Sequence, residues 1–273
     1  MTSAPVRFDF SGASVFVAGG TSGINLGIAR RFAEAGAKVA VMSRSQDKVD
    51  AAVAILKEAG AGAAAGFAAD VRDSDAVDAA LKAAAEAHGP FNAVVSGAAG
   101  NFPAPAADLS PNGFKSVMDI DVLGTFHVMK AAYAYAEKPG AAFINISAPQ
   151  TFAPMQMQAH VCAAKAGVDM ITRVLAMEWG PEGVRVNSIV PGPIKDTEGM
   201  DRLAPGDELK EMIVETVPLK RFGGAEEVGD AALFLASPAA AYISGVVLPV
   251  DGGWSLSGAG VSTEKIIAYF KGA

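Results

Sequence analysis

One cysteine, Cys162, stands in 273 residues, so no internal disulfide can form, and a reducing compartment is the natural setting. Aromatic residues make up only 7%, and the formal net charge is -7. The chain therefore lacks both the stacking surface and the cationic face that nucleic-acid binding needs. A membrane span is missing as well. Residues 140–164 carry no Asp, Glu, Lys or Arg, but Pro149, Pro154, three glutamines and His160 interrupt them. The chain does not open on a basic patch followed by an apolar block, and Lys271-Gly272-Ala273 matches neither a peroxisomal nor a retention signal. A cytoplasmic location is the expectation.

What is present is a large apolar supply: 51% hydrophobic against 19% charged residues. With few aromatics, the core must be built mainly from Ala, Val, Ile and Leu. Short apolar runs at 14–19, 37–43, 64–69, 91–97, 141–147, 184–190 and 246–250 read as buried strands. Amphipathic segments at 26–35, 47–59, 74–87, 113–136 and 159–179 read as the helices between them. Strand–helix alternation without a linker or a repeat predicts α/β architecture. We expect a single doubly wound (Rossmann-like) domain over residues 1–273, with a parallel sheet covered on both faces. The stretch 191–218, rich in Gly, Pro and Met, is expected to be irregular and to act as a lid.

The first strand runs into Ala18-Gly19-Gly20-Thr21-Ser22-Gly23-Ile24-Asn25-Leu26-Gly27 and then a helix. Glycines there let backbone N–H groups and a helix N-terminus approach a pyrophosphate, so Gly19, Thr21, Ser22, Gly23 and Ile24 are candidate dinucleotide contacts. Asn25 occupies the place of a third glycine. Asn tolerates positive φ, so the loop is expected to survive, with the Asn25 amide near the phosphates. After the second strand, Ser43-Arg44-Ser45 and Lys48 appear where an NAD-binding chain places an acidic residue. Arg44, with Ser45 and Lys48, points to a ribose 2′-phosphate and hence to NADP.

With that turn in register, the chain resembles the short-chain dehydrogenase/reductase family. The resemblance is carried by Asp70-Val71, Ser96-Gly97-Ala98-Ala99-Gly100, Pro191-Gly192-Pro193-Ile194-Lys195-Asp196-Thr197 and Asp251-Gly252-Gly253. It implies cofactor contacts at Asp70, Val71, Ala98, Gly100, Pro191, Gly192, Ile194, Thr197 and Lys165. The family's Asn, Ser and Tyr-x-x-x-Lys set is only partly kept. Lys165 fits the lysine, but Val161 stands at the tyrosine, Ala148 at the serine (Ser147 precedes it) and Asp121 at the asparagine.

That pattern of loss resembles the 2,4-dienoyl-CoA reductases, particularly the peroxisomal type, through residues 98–102, 117–121, 179–181 and 184–188. The branch implies NADPH-dependent reduction of a 2,4-dienoyl-CoA to a 3-enoyl-CoA, with Asp121 relaying a proton and Lys165 binding the nicotinamide ribose. On that reading, losing Asp121 harms turnover and leaves cofactor affinity intact. Arg44, Arg72, Phe102, Ser110, Pro111, Asn112 and Arg202 are implied acyl-CoA contacts. The branch also implies a homotetramer, and no metal site is expected. Met155, Met157, Met200 and Met212 are either an adaptable acyl channel or ordinary core. His160 and Cys162 read as packing residues. Two other functions fit the same residues: reduction of a 3-oxoacyl thioester or another carbonyl, and a non-catalytic NADP-binding module.

Overall fold

The computed structural model describes residues 7–256 and 267–268. Seven parallel strands form one sheet in the order β3-β2-β1-β4-β5-β6-β7. They are β1 (Ser14–Ala18), β2 (Lys38–Ser43), β3 (Ala63–Ala68), β4 (Ala93–Ser96), β5 (Ala142–Ile146), β6 (Arg185–Pro191) and β7 (Val247–Val250). Alternation along each strand builds the two layers. Val15 and Val17 of β1, with Val39 and Val41 of β2, enter one core. Phe16 and Ala18, with Ala40 and Met42, enter the other. The first core is closed by α1 (Gly23–Glu34), α2 (Gln46–Glu58) and α9 (Ala225–Ala236). The second is closed by α3 (Ser74–His88), α5 (Gly124–Ala134) and α6 (Ala159–Trp179). Four phenylalanines, Phe16, Phe32, Phe91 and Phe143, are among the largest fully buried side chains.

Three sequence expectations are revised. Residues 113–136 are not one helix: α4 (Pro111–Val117) leads into a π-helical turn, Met118–Leu123, before α5. Such a turn rotates the side chains after it and is frequent at functional sites. Residues 191–218 are not irregular either, since they hold α7 (Glu198–Leu203) and α8 (Asp207–Thr216). Thr197 caps α7 by accepting from the Met200 N–H, and Ala204, Leu209 and Ile213 form a small core under the pair. Helix α9 was not among the segments read as helical. It lies against α1 where Gly27 faces Ala225, and a Cβ on Gly27 would overlap that alanine. Among the described residues, no helix is long and apolar enough to cross a membrane, and no metal-binding group of carboxylates, His and Cys occurs.

Two buried histidines, His88 at the end of α3 and His160 on α6, have imidazole pKa values lowered from 6.5 by burial. A depressed imidazolium pKa means that the unfolded chain binds the extra proton first, so stability is lost as pH falls below 6.5. Thermal denaturation is expected to shift to lower temperature between about pH 7.5 and about pH 5.5, and His88→Gln to flatten that slope. An unchanged slope in His88→Gln would remove His88 from the account.

Candidate active site

The strand order reverses between β1 and β4, which opens a crevice at the carboxyl ends of the sheet. A cleft of about 490 Å³ occupies it. At its base the chain turns with Gly19 at φ +74 and Gly23 at φ +52. A Cβ on Gly19 would lie 2.9 Å from the Ala98 nitrogen, so only glycine lets this loop approach β4 so closely. Gly19, Thr21, Ser22, Gly23 and Ile24 all line the cleft, with the N-terminus of α1 behind them. Asn25 lines the cleft with them, but it lies within α1 and needs no positive φ. Its Nδ2 donates to the Gly97 carbonyl at 2.7 Å, clamping the glycine loop to the end of β4.

Along one wall, Met42, Ser43, Arg44 and Lys48 follow the end of β2. Ser45 lies outside the lining because its Oγ caps α2, accepting from the Lys48 N–H at 3.4 Å. Asp70 and Val71 border the same end. The Asp70 carboxyl is held below its ordinary pKa by hydrogen bonds from Arg72, with the charge of Arg44 adding to the effect. Arg72 is committed to that carboxylate, Nη2 to Oδ2 at 2.6 Å, and does not line the cleft. The opposite wall carries Ala98, Ala99, Gly100, Asn101, Phe102 and Pro103.

At the deep end, Ile146, Ser147, Ala148, Gln150, Val161 and Lys165 meet. Ala148 and Val161 therefore face the cleft and bring no hydroxyl. Lys165 Nζ donates to the Ile146 carbonyl at 3.2 Å and sits 3.0 Å from Asp121 Oδ2. Asp121 is fully buried on the π-helical turn, and its Oδ1 accepts from the Gly100 N–H at 2.7 Å. It does not line the cleft; its route to the cleft is through Lys165 and the Gly100 backbone. The wide π turn delivers Asp121 to both at once, which helical spacing alone does not reveal.

The remaining candidates divide. Thr197, Glu198, Gly199, Arg202 and Leu203 cover the cleft from above, with Arg202 paired to Glu198. Pro191 and Gly192 lie outside the lining, and Gly192 packs so tightly that a Cβ would come within 2.6 Å of the Asp251 Cα. Ile194 is buried beside a second cavity, with Pro193. Ser110 caps α4 through the Gly113 N–H at 3.0 Å, with Pro111 at the helix start and Asn112 exposed. None of the three lines the cleft, but this helix abuts Phe102 through Gly113. Phe102 in turn packs on His160, with ring centroids 4.5 Å apart. Cys162 Sγ reaches only the Met155 carbonyl, at 4.0 Å. None of the four methionines named as an acyl channel lines the cleft: Met155 is buried, and Met200 and Met212 pack on the α7–α8 core. Sequence reasoning missed Gln150 and Gln158, whose side chains join in a buried 2.6 Å hydrogen bond at the cleft.

Residues 18–255 match the family model described as enoyl-(acyl carrier protein) reductase. A peroxisomal 2,4-dienoyl-CoA reductase [(3E)-enoyl-CoA-producing] of Arabidopsis thaliana is 41% identical over 256 residues, 90% of this chain and 85% of that protein. A protein of the same name from Rattus norvegicus is 41% identical over 87% of this chain and 82% of its own length. Among solved structures, a short chain dehydrogenase from Bacillus anthracis superposes with a TM-score of 0.81 at 36% identity, covering 90% of this chain and 98% of that one.

Proposed function

The chain belongs to the short-chain dehydrogenase/reductase family of nicotinamide-dependent oxidoreductases, and from that premise we propose that it reduces a 2,4-dienoyl-CoA to a 3-enoyl-CoA with NADPH in unsaturated fatty acid breakdown. The observation that carries this reading is the pairing of a retained Lys165–Asp121 ion pair with hydroxyl-free positions at Val161 and Ala148. Carbonyl reduction creates an alkoxide that must be protonated, and nothing at Val161 can do so. Reduction of a conjugated thioester makes no alkoxide. It needs alignment of the reacting carbons, hydrogen-bond donors toward the thioester oxygen and a proton delivered to carbon.

The glycine turn and the N-terminus of α1 fit a pyrophosphate, and Arg44 with Lys48 fits a 2′-phosphate. When bound, the nicotinamide dinucleotide supplies the two reducing electrons. Lys165 holds the ribose side of the deep end and carries a proton at Nζ. Asp121 holds that lysine in orientation through their 3.0 Å ion pair, and fixes the Gly100 backbone beside it. Phe102 and the α7 face with Arg202 and Leu203 enclose the acyl chain, and closure of the 191–218 segment excludes water. Arg72, Arg202 and Arg44 offer charge to the CoA phosphates, Arg72 only by giving up Asp70. A cytoplasmic setting and a homotetramer belong to the same proposal. The latter is supported by apolar Phe126 on α5 and Met170, Val174 and Met177 on α6, which stand exposed.

The deciding experiment supplies NADPH with a medium-chain 2,4-dienoyl-CoA or with a 3-oxoacyl-CoA, and locates the remaining double bond in the product. NADPH consumption with the dienoyl ester and a 3-enoyl product is the expected result. Consumption with the 3-oxoacyl ester alone would replace the reading by carbonyl reduction. Tight NADPH binding without turnover of either would replace it by a binding module.

A further inference from the structure

We propose that the side-chain amide of Gln150, poised by Gln158, donates the hydrogen bond to the substrate's thioester oxygen at the end of the cleft where Ala148 and Val161 bring no hydroxyl. This deepens the dienoyl-CoA reading and rests on it. Gln150 lies on the short 3-10 turn Pro149–Thr151, directly after Ala148. It is 8% exposed and lines the cleft with Ser147, Ala148, Val161 and Lys165. Its Nε2 donates to Gln158 Oε1 at 2.6 Å, while its own Oε1 is buried and has no partner among the described residues. Gln158 is 6% exposed and sits at the N-cap of α6, the helix that carries Val161 and Lys165.

A buried amide oxygen left without a donor is unfavourable, and native interiors rarely keep one without a use. A primary amide is an acceptor on one side and a donor on the other, with nearly the same shape in both orientations. If both amides turn together, Gln158 Nε2 donates to Gln150 Oε1 and the Gln–Gln hydrogen bond is preserved. Gln150 Nε2 then takes the place of the orphaned oxygen and offers two N–H donors. The cleft gains a neutral donor at the end where charge collects on the thioester oxygen. Ser147 Oγ is also buried in the lining, with no partner among the described residues, so it is the rival donor.

The test compares Gln150→Leu, Gln158→Leu, Gln158→Glu and Ser147→Ala with the wild type. Three quantities are measured: NADPH affinity, single-turnover reduction of a 2,4-dienoyl-CoA, and the infrared carbonyl frequency of a saturated acyl-CoA carrying ¹³C at the thioester carbon, bound together with NADP. Gln150→Leu is expected to slow reduction by ~100–1,000-fold, the range for losing one such donor, with NADPH affinity held within about twofold. The carbonyl frequency, lowered in the wild type by the hydrogen bond, should return toward its solution value. In its ionised form Gln158→Glu keeps the packing but can only accept, so it holds Gln150 Nε2 away from substrate and should be at least as slow as Gln158→Leu; at low pH, where the carboxyl gains an O–H, the rate should recover. That pH-dependent recovery, absent in Gln158→Leu, would not follow from a merely structural role.

A wild-type rate in Gln150→Leu, an unshifted carbonyl in the wild type, or loss confined to Ser147→Ala would each overturn the inference. A Gln150→Leu protein that fails to bind NADPH leaves the wild-type infrared shift and the Gln158 pair to decide. If the wild type reduces no dienoyl ester at all, the functional reading fails first, and the two failures are thereby told apart.

Discussion

Asp121→Asn is expected to slow single-turnover reduction of a 2,4-dienoyl-CoA by ~100–10,000-fold, the usual span of a general acid–base contribution. The carboxylate is fully buried, with Oδ2 3.0 Å from Lys165 Nζ and Oδ1 taking the Gly100 N–H at 2.7 Å. Removing its charge leaves the buried Lys165 Nζ without its ion-pair partner, so the lysine is no longer held in its place at the cleft. On the proposed reading, in which Asp121 acts through Lys165 and Lys165 holds the nicotinamide ribose, NADPH affinity should weaken too, though far less than the rate. Breaking a buried pair by deleting one member typically costs ~3–5 kcal/mol of stability. Asp121→Ala adds the loss of the Gly100 acceptor, so the asparagine variant is the cleaner probe. Its rate should be read alongside its melting temperature. Wild-type turnover in a folded Asp121→Asn would end the proton role, even with the family assignment intact.

Replacing Arg44 by Asp is expected to invert cofactor choice. Arg44 lines the cleft just beyond β2, and among the described residues no carboxylate lies within ion-pair distance of it, whereas Arg72 is bound to Asp70 at 2.6 Å. In the proposed NADP site, Arg44 is the cation offered to the ribose 2′-phosphate, with Lys48 also in the lining. A hydrogen bond to a charged group contributes ~1.5–3 kcal/mol, which is roughly a 10- to 150-fold change in affinity. Repulsion from the introduced carboxylate adds to that loss, while NADH, which has a 2′-hydroxyl there, gains an acceptor. Dissociation constants for both cofactors, in wild type and variant, provide the check. Equal wild-type affinity for NADPH and NADH would rule the assignment out.

The sheet and its cofactor crevice were legible because their signals are local. Alternation along residues 14–18 sends Val15 and Val17 to one face and Phe16 to the other whatever surrounds them, and a glycine turn before a helix announces itself. The α6 boundaries, Ala159–Trp179, agree with the apolar period for the same reason. Lys165, Val161 and Ala148 were placed by the register of the family resemblance, and all three line the same cleft.

Tertiary structure decided what depends on contacts between distant segments. Residues 113–136 carry an unbroken helical pattern. The π turn at Met118–Leu123 carries Asp121, which meets Lys165 and the Gly100 N–H, residues 44 positions after it and 21 before it. Helices α7 and α8 emerge from a Gly- and Pro-rich stretch because Ala204, Leu209 and Ile213 find a shared core, a gain that propensity does not count. Asn25 resembled a substitute for glycine in the chain and proved to be a clamp on Gly97, 72 residues away. Gln150 and Gln158 look like ordinary polar residues until folding buries their amides together beside the cleft. Local periodicity and spacing determined the scaffold and the order of its motifs. Which polar groups are buried, paired or left with an unmet hydrogen bond was settled only by packing, because desolvation is a property of the surroundings and not of the residue.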